Sequence, residues 1–440
     1  MASLSDLEKP AQVSPAPAHD ENGSVTQKGE EVATPLPEKD FQPPDGGLAA
    51  WTQVLACTLI NMVAWGYPAA FGVFQLYYRD ALELPESQIS WIGSLQIFLA
   101  SVMCAPAGRL ADAGYVKSTV IVGSFMIVLG TMLTSLCKQY WQIFLAQGLF
   151  TGLGMGIVFM PVLSVMSSYF AARRSLALSF AATGTGFGSV VFPATIQYLI
   201  PRVGFPWAVR CTGFVILFLT AVVVAILRPK LRPRTSGPLF EWDAFREGPY
   251  LLFTLGTFLF FWALYFCYFY INAYARNVIH FSTLDSVQLL LIMDAVGVPA
   301  RPLAGYLATR HFGPINTYII HMMLLGCMLF VWIGVTTRTG MYVFVVFFGF
   351  TLGATQGLYS GSLTSLTKDP RRMGTRYGMS CTMSAFATLA GPPTAGAIID
   401  TVGGRYLWTQ IWAGLVMILA SLVLAAARCA ATGFKFRVKV

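Results

Sequence analysis

Apolar residues recur along the chain in twelve runs of membrane-crossing length: 51–74, 88–108, 117–136, 141–164, 176–199, 207–227, 250–272, 286–308, 315–335, 340–363, 376–398 and 405–428. A helix needs about 20 apolar residues to cross the hydrocarbon core, whereas barrel strands are shorter and alternate polar with apolar positions. The pattern predicts an all-α membrane protein with twelve transmembrane helices. The longest connection, Arg228 to Gly248, divides the runs six and six. This gives a first bundle over 43–227, a linker over 228–248, a second bundle over 249–428 and a short tail over 429–440. Residues 1–42 carry eight Asp or Glu and five Pro. That composition cannot bury a core and predicts a disordered tail. No cleavable signal peptide is expected at such a polar, acidic start, and the Asn22-Gly23-Ser24 sequon is not expected to be used on a cytoplasmic tail.

Composition supports this class. The 440 residues are 55% hydrophobic and 11% charged with a mean hydropathy of +0.62, against about 25% charged in a soluble domain. The net charge of +9 does not imply nucleic acid, because the basic residues fall in short clusters between apolar runs. Loops after even-numbered runs, with the C-terminal tail, hold 18 Lys and Arg, including Lys230, Arg232, Arg234, Lys368 and Arg371; the opposite loops hold seven. The positive-inside rule then puts both termini in the cytoplasm, and the plasma membrane is the expected location. The eight cysteines are dispersed with no C-x-x-C, so neither a disulfide framework nor a zinc site is expected. No G-x-x-x-x-G-K, G-x-S-x-G or His/Glu ligand spacing occurs, so no cofactor, no metal and no enzymatic activity are expected.

The eighth run contains two charges, Asp294 and Arg301. A charge at membrane depth costs at least about 2.5–3.5 kcal/mol and is kept only where something compensates it. Seven residues span two helical turns, so both lie on one face, about 10.5 Å apart along the axis. That spacing suits two groups flanking a small ligand. Arg301 can be an anion clamp, or a structural counter-ion and cap for carbonyls freed by Pro299 and Pro302. Asp294 can exchange a proton or form a permanent ion pair. The seventh run is rich in aromatics from Phe258 to Tyr270, which suits either a wall for a flat substrate or lipid contact. His321 reads as a packing residue. Gly349, Gly353, Gly357 and Gly361 recur at four-residue spacing, echoed by Gly148, Gly152 and Gly156. Such stripes let helices approach closely, for sliding or for static packing. Gly184-Thr185-Gly186-Phe187-Gly188 reads as a packing run. The halves echo each other, in the manner of many secondary transporters: GRLAD at 108–112 and GYLAT at 305–309, Pro193 and Pro392-Pro393.

Gly108 to Lys117, GRLADAGYVK, resembles the loop motif of the major facilitator superfamily, with Gly108, Leu110, Asp112 and Lys117 matching. Two further stretches resemble the monocarboxylate porter family, in its fungal form. One is PPDGGLAAW, with Asp45, Gly46, Gly47 and Trp51; the other is YFAARRSLALSFA, with Tyr169, Phe170, Arg173 and Arg174. The resemblance implies alternating access by two six-helix bundles and an eighth-helix arginine that holds a substrate carboxylate, matched by Ala300-Arg301-Pro302. It also implies a conformational charge contact involving Gly108, Arg109, Asp112 and Lys117. The family's acidic partner lies four residues before the arginine; Gly297 stands there, and the acid is at Asp294. Animal lactate carriers have a lysine after a first-helix proline; here Ala69 follows Pro68. That departure counts against simple lactate or pyruvate. Thr309 stands where a second-half loop acid would be.

The expected function is secondary-active transport of a small organic anion, such as a monocarboxylate, with a proton as possible co-substrate. Efflux of a fungal secondary metabolite and carriage of a vitamin-like aromatic compound stand as alternatives. A non-transporting sensor is a third, against which the short C-terminal tail counts.

Overall fold

The computed structural model describes residues 45–84, 86–229, 241–367 and 372–433. The acidic tail with its sequon, Lys230, Arg232, Arg234, Lys368, Arg371 and positions 434–440 lie outside the described residues. Twelve long helices are present among the described residues: α1 Leu48–Gln75, α2 Gln88–Asp112, α3 Val116–Thr134, α4 Tyr140–Ser168, α5 Arg174–Val203 and α6 Phe205–Ile226, then α7 Gly248–Asn277, α8 Asp285–Phe312, α9 Pro314–Ile333, α10 Arg338–Leu366, α11 Met373–Thr401 and α12 Leu407–Thr432. Eleven are apolar enough to cross a membrane by length and composition alone. The exception, α11, is diluted by Arg376, Asp400 and many Ser, Thr and Gly, and it is sheltered by neighbours rather than by its own hydropathy. Helix α12 runs four residues beyond its expected end at 428, into the segment expected to be tail. Twelve crossings bring Asp45 and Gly433 to one side, hereafter the terminal face.

Local chemistry explains the punctuation. Gly204 (φ +77°) and Gly313 (φ +87°) turn the chain between α5 and α6 and between α8 and α9. A proline follows each in the first turn of the next helix, where its missing N–H is harmless. The Ser282 and Thr337 hydroxyls accept from Asp285 N–H and Gly340 N–H at the starts of α8 and α10. Helix α1 changes to a π turn at Met62–Gly66 and a 3₁₀ turn at Tyr67–Ala70, because Pro68 cannot continue the α-helical ladder.

The glycine stripes do close packing. A Cβ on Gly353 would lie 2.5 Å from Gly297 Cα, one on Gly349 2.8 Å from Met293 Cα, and one on Gly357 3.0 Å from Arg301 Cβ. Helices α10 and α8 therefore touch backbone to backbone along 293, 297 and 301. Gly148 and Gly152 of α4 meet Ile92 and Gln96 of α2 in the same manner. One packing unit occurs in each half.

Two seams join the halves, both running to the terminal face. In the α2–α11 seam, Thr375 Oγ1 donates to Asp112 Oδ2 at 3.1 Å and Thr382 Oγ1 donates to the Val102 carbonyl at 3.3 Å. A Cβ on Gly378 would lie 2.6 Å from Ala105 Cα. In the seam of α5 with α8 and α10, Ser179 Oγ donates to the Gly357 carbonyl at 2.9 Å, and Gly305 sits against Ser179. These contacts make residues 43–440 one packing unit.

The linker end is tied to the start of α11, beside the first seam. Glu241 pairs with Arg372 at 2.6 Å and Arg376 at 3.3 Å, and Glu247 also holds Arg376. Burial works to raise the Glu241 carboxyl, but the Arg376 and Arg372 guanidiniums outweigh it and hold it below the usual carboxylate range. A depressed folded-state pKa contributes stability that is present above the unfolded value and lost as pH falls through the folded one. Glu241→Gln is therefore expected to lower stability by about 1.5–3 kcal/mol at neutral pH. Thermal melts should show this gap to the native protein closing as pH falls below about 4.

Candidate functional site

Between the halves lies a cavity of about 340 Å³. Its lining reaches Arg79 beyond α1, Arg276 at the end of α7 and Ser286 at the start of α8. It thus opens toward the face opposite the termini, while the two seams close it on the terminal side. Helix α7 presents one stripe to it, Phe261, Tyr265, Tyr268, Asn272 and Arg276, at the three- and four-residue spacing of a helical face. Phe260 and Phe269 also line it; Phe258, Trp262, Phe266 and Tyr270 do not. The aromatic richness of α7 thus divides between cavity wall and helix packing. Trp65 and Phe159 continue the wall, edge to face at 5.4 Å.

Asp294 and Arg301 both line this cavity and are 5% and 1% exposed. No ion pair joins them among the described residues. Two neutral side chains bridge them instead: Arg301 Nη2 donates to Gln356 Oε1 at 2.7 Å, Gln356 Nε2 to the Tyr268 hydroxyl at 3.3 Å, and that hydroxyl to Asp294 Oδ1 at 3.2 Å. The two-turn separation read from the sequence leaves room for this bridge. Arg301 Nε and Nη1 are buried without a hydrogen-bond partner among the described residues. Leaving a buried donor unmet costs about 1–3 kcal/mol, and more for a charged group. Arg301 is rigidly backed, since Gly357 lets α10 close on its stem.

The motif residues gather at the terminal face. Asp112 meets the first turn of α11 through Thr375 and Gly374. Gly108 allows this approach, because a Cβ there would lie 2.7 Å from the Gly374 carbonyl. Arg109 is partly buried and Lys117 is exposed. The two other motif stretches meet each other across 126 positions: Asp45 Oδ1 accepts from Ala171 N–H at 2.5 Å, and Asp45 N–H donates to the Tyr169 carbonyl. Trp51 packs edge to face on Phe170 and Phe180. Gly46 and Gly47 have positive φ, which this tight entry requires. Arg174 Nε donates to the Phe170 carbonyl, while Arg173 is exposed. His321 is satisfied within α9 by the Thr317 carbonyl at 2.8 Å.

Residues 54–392 match the Major Facilitator Superfamily. The chain belongs to that superfamily. It is an integral, multi-pass membrane transporter, and the expected fold class holds. A curated MFS-type transporter of Gibberella zeae is 39% identical, with 88% of each chain aligned. The aspyridones efflux protein apdF of Emericella nidulans is 31% identical over 90% of this chain and 82% of that protein. The crystal structure of the MFS transporter FucP in the outward conformation superposes with a TM-score of 0.66 at 15% identity, covering 85% of this chain and 98% of that one. This last likeness concerns the fold.

Tyr268 and Gln356 escaped the sequence reading. Tyr268 was lost among the other aromatics of α7. Gln356 was a detectable signal, an amide inside an apolar, glycine-striped run. Gln356→Ala is expected to lower stability by about 1.5–3 kcal/mol by stripping the last described bond from a buried guanidinium. Gln356→Glu should raise the melting temperature and abolish transport, because a built-in carboxylate then occupies Arg301. Thermal melts and flux on the same preparations check both.

Proposed function

We propose that this transporter exports a ring-bearing organic acid by alternating access, as a member of the monocarboxylate porter branch with Arg301 as its anion clamp. The carrying observation is the buried guanidinium of Arg301 with two unmet donors beside an aromatic-walled cavity. Guanidinium is permanently charged and matched to carboxylate geometry. A volume of about 340 Å³ suits a drug-sized ligand better than lactate, in keeping with the missing first-helix lysine. Similarity to an aspyridones efflux protein favours export.

In this reading the termini are cytoplasmic in the plasma membrane, and the bundles over 43–227 and 249–428 rock against each other to expose the central site to either side in turn. Gly108, Arg109, Asp112 and Lys117 form the cytoplasmic latch. The signature stretches with Asp45, Trp51, Tyr169 and Arg174 brace the entry of α5. Asp294 is the proton site: Tyr268 and Gln356 keep it from neutralising Arg301, so a proton and an organic anion can occupy separate positions.

The test uses proteoliposomes with 2-naphthoate as the probe acid and 2-naphthamide as its neutral counterpart. Arg301→Ala should cut naphthoate flux at least about tenfold, the loss of roughly 1.4 kcal/mol, while naphthamide is not carried by either protein. Unchanged naphthoate flux removes Arg301 as the clamp. Asp294→Asn should abolish the pH dependence of flux and spare exchange; an unaltered pH profile removes Asp294 as the proton site.

A further inference from the structure

The guanidinium of Arg301 is met by the other half of the protein. A Cβ placed on Gly186 of α5 would lie 2.7 Å from Arg301 Nη1 and 2.7 Å from Val298 Cγ2. Arg301 is only 1% exposed, although its residue borders the cavity. Gly184 and Gly188 face the opposite way, onto Thr58 and Met62 of α1. Of the three glycines of this run, Gly186 is the one whose nearest neighbours belong to α8. The contact also lies at the cavity end of the α5–α8 seam. Ser179 packs on Gly305 further toward the terminal face, and both steps, 186 to 179 and 298 to 305, are seven residues. The helices run antiparallel, so a motion that parts their terminal ends about a pivot on the mouth side of Gly186 draws Gly186 away from Arg301.

We infer that Gly186 is the positioning residue that covers Arg301 when the cavity opens opposite the termini and uncovers it when the terminal seam parts. The inference rests on reading Arg301 as the anion clamp. It adds an asymmetry of affinity: an organic acid captured at the uncovered guanidinium loses that partner as α5 closes over it, and is released more readily through the mouth on the other side. The unmet Nε and Nη1 donors are the energetic mark of this covered state. A side chain at position 186 would hold the seam ajar. A smaller cation at 301 would relieve one of the two close contacts, the one with a flexible side-chain end.

Hydrogen–deuterium exchange on the purified full-length protein tests the cover without knowledge of the natural substrate. Gly186→Ala should raise exchange several-fold in the terminal ends of α5 and α8. Adding Arg301→Lys should return most of it to the native level, and adding Val298→Ala should return less. Rescue by Val298→Ala but not by Arg301→Lys overturns the inference, because Gly186 then serves ordinary packing; unchanged exchange in Gly186→Ala overturns it too. If Gly186→Ala does not fold, folding of the Arg301→Lys double variant supports the inference, and failure of every Gly186→Ala combination contradicts it. Quenching of tryptophan fluorescence, Trp65 lying in the wall, reads binding on the same samples. Gly186→Ala should bind 2-naphthoate about tenfold more tightly by enlarging the competent fraction, with 2-naphthamide unaffected. Exchange that follows the prediction without any naphthoate binding refutes the anion reading while sustaining the cover.

Discussion

A guanidinium buried inside a membrane protein is the constraint around which this structure is arranged. Arg301 cannot shed its charge, it is almost wholly enclosed, and the one described hydrogen bond it donates, to Gln356 Oε1, is far from its full complement. Its surroundings show how it is tolerated. Gly357 and Gly297 thin the walls of α10 and α8, Gly186 thins the wall of α5, and Tyr268 with Gln356 relays polarity to Asp294 without letting the charges collapse into a pair. A direct ion pair would be a dead end, because no ligand could then gain from either group. Holding the two apart keeps both available.

The mechanical frame follows from small residues in repeated places. Glycines of α4 on α2 and of α10 on α8 make two rigid pairs, one in each half. The contacts that join the halves include hydroxyl bonds to carbonyls and to the Asp112 carboxylate, and glycine approaches, at α2–α11 and α5–α8. Such contacts bury little charge and part at modest cost. The exception is the guanidinium–carboxylate cluster of Glu241, Glu247, Arg372 and Arg376, which ties the linker to α11 within the second half. It can stay closed while the seams open.

Much of this was legible in the primary structure. The apolar runs marked twelve helices, including the polar α11, whose apolar positions persist between the Ser and Thr residues although it falls short of a crossing helix by hydropathy alone. The two intramembrane charges marked two residues that line the central cavity, since membrane burial makes them costly wherever they are. Spacing along one helix, however, carries no information on what a neighbouring helix inserts between two side chains, so the Tyr268–Gln356 bridge was hidden. The run 184–188 shows the same limit more sharply. It reads as packing, and its outer glycines are packing. Gly186 differs only in what it faces, and facing is a property of the tertiary arrangement.

The account makes the two sides of the membrane unequal for an acid and equal for its neutral analogue. The most direct measurement is the half-saturating 2-naphthoate concentration from each face, in inside-out and right-side-out vesicles carrying the native protein. A value at least about tenfold lower from the terminal face, a coupling of roughly 1.4 kcal/mol, is the predicted result. Equal values, or tighter binding from the opposite face, would contradict an arginine that is covered whenever the cavity opens away from the termini.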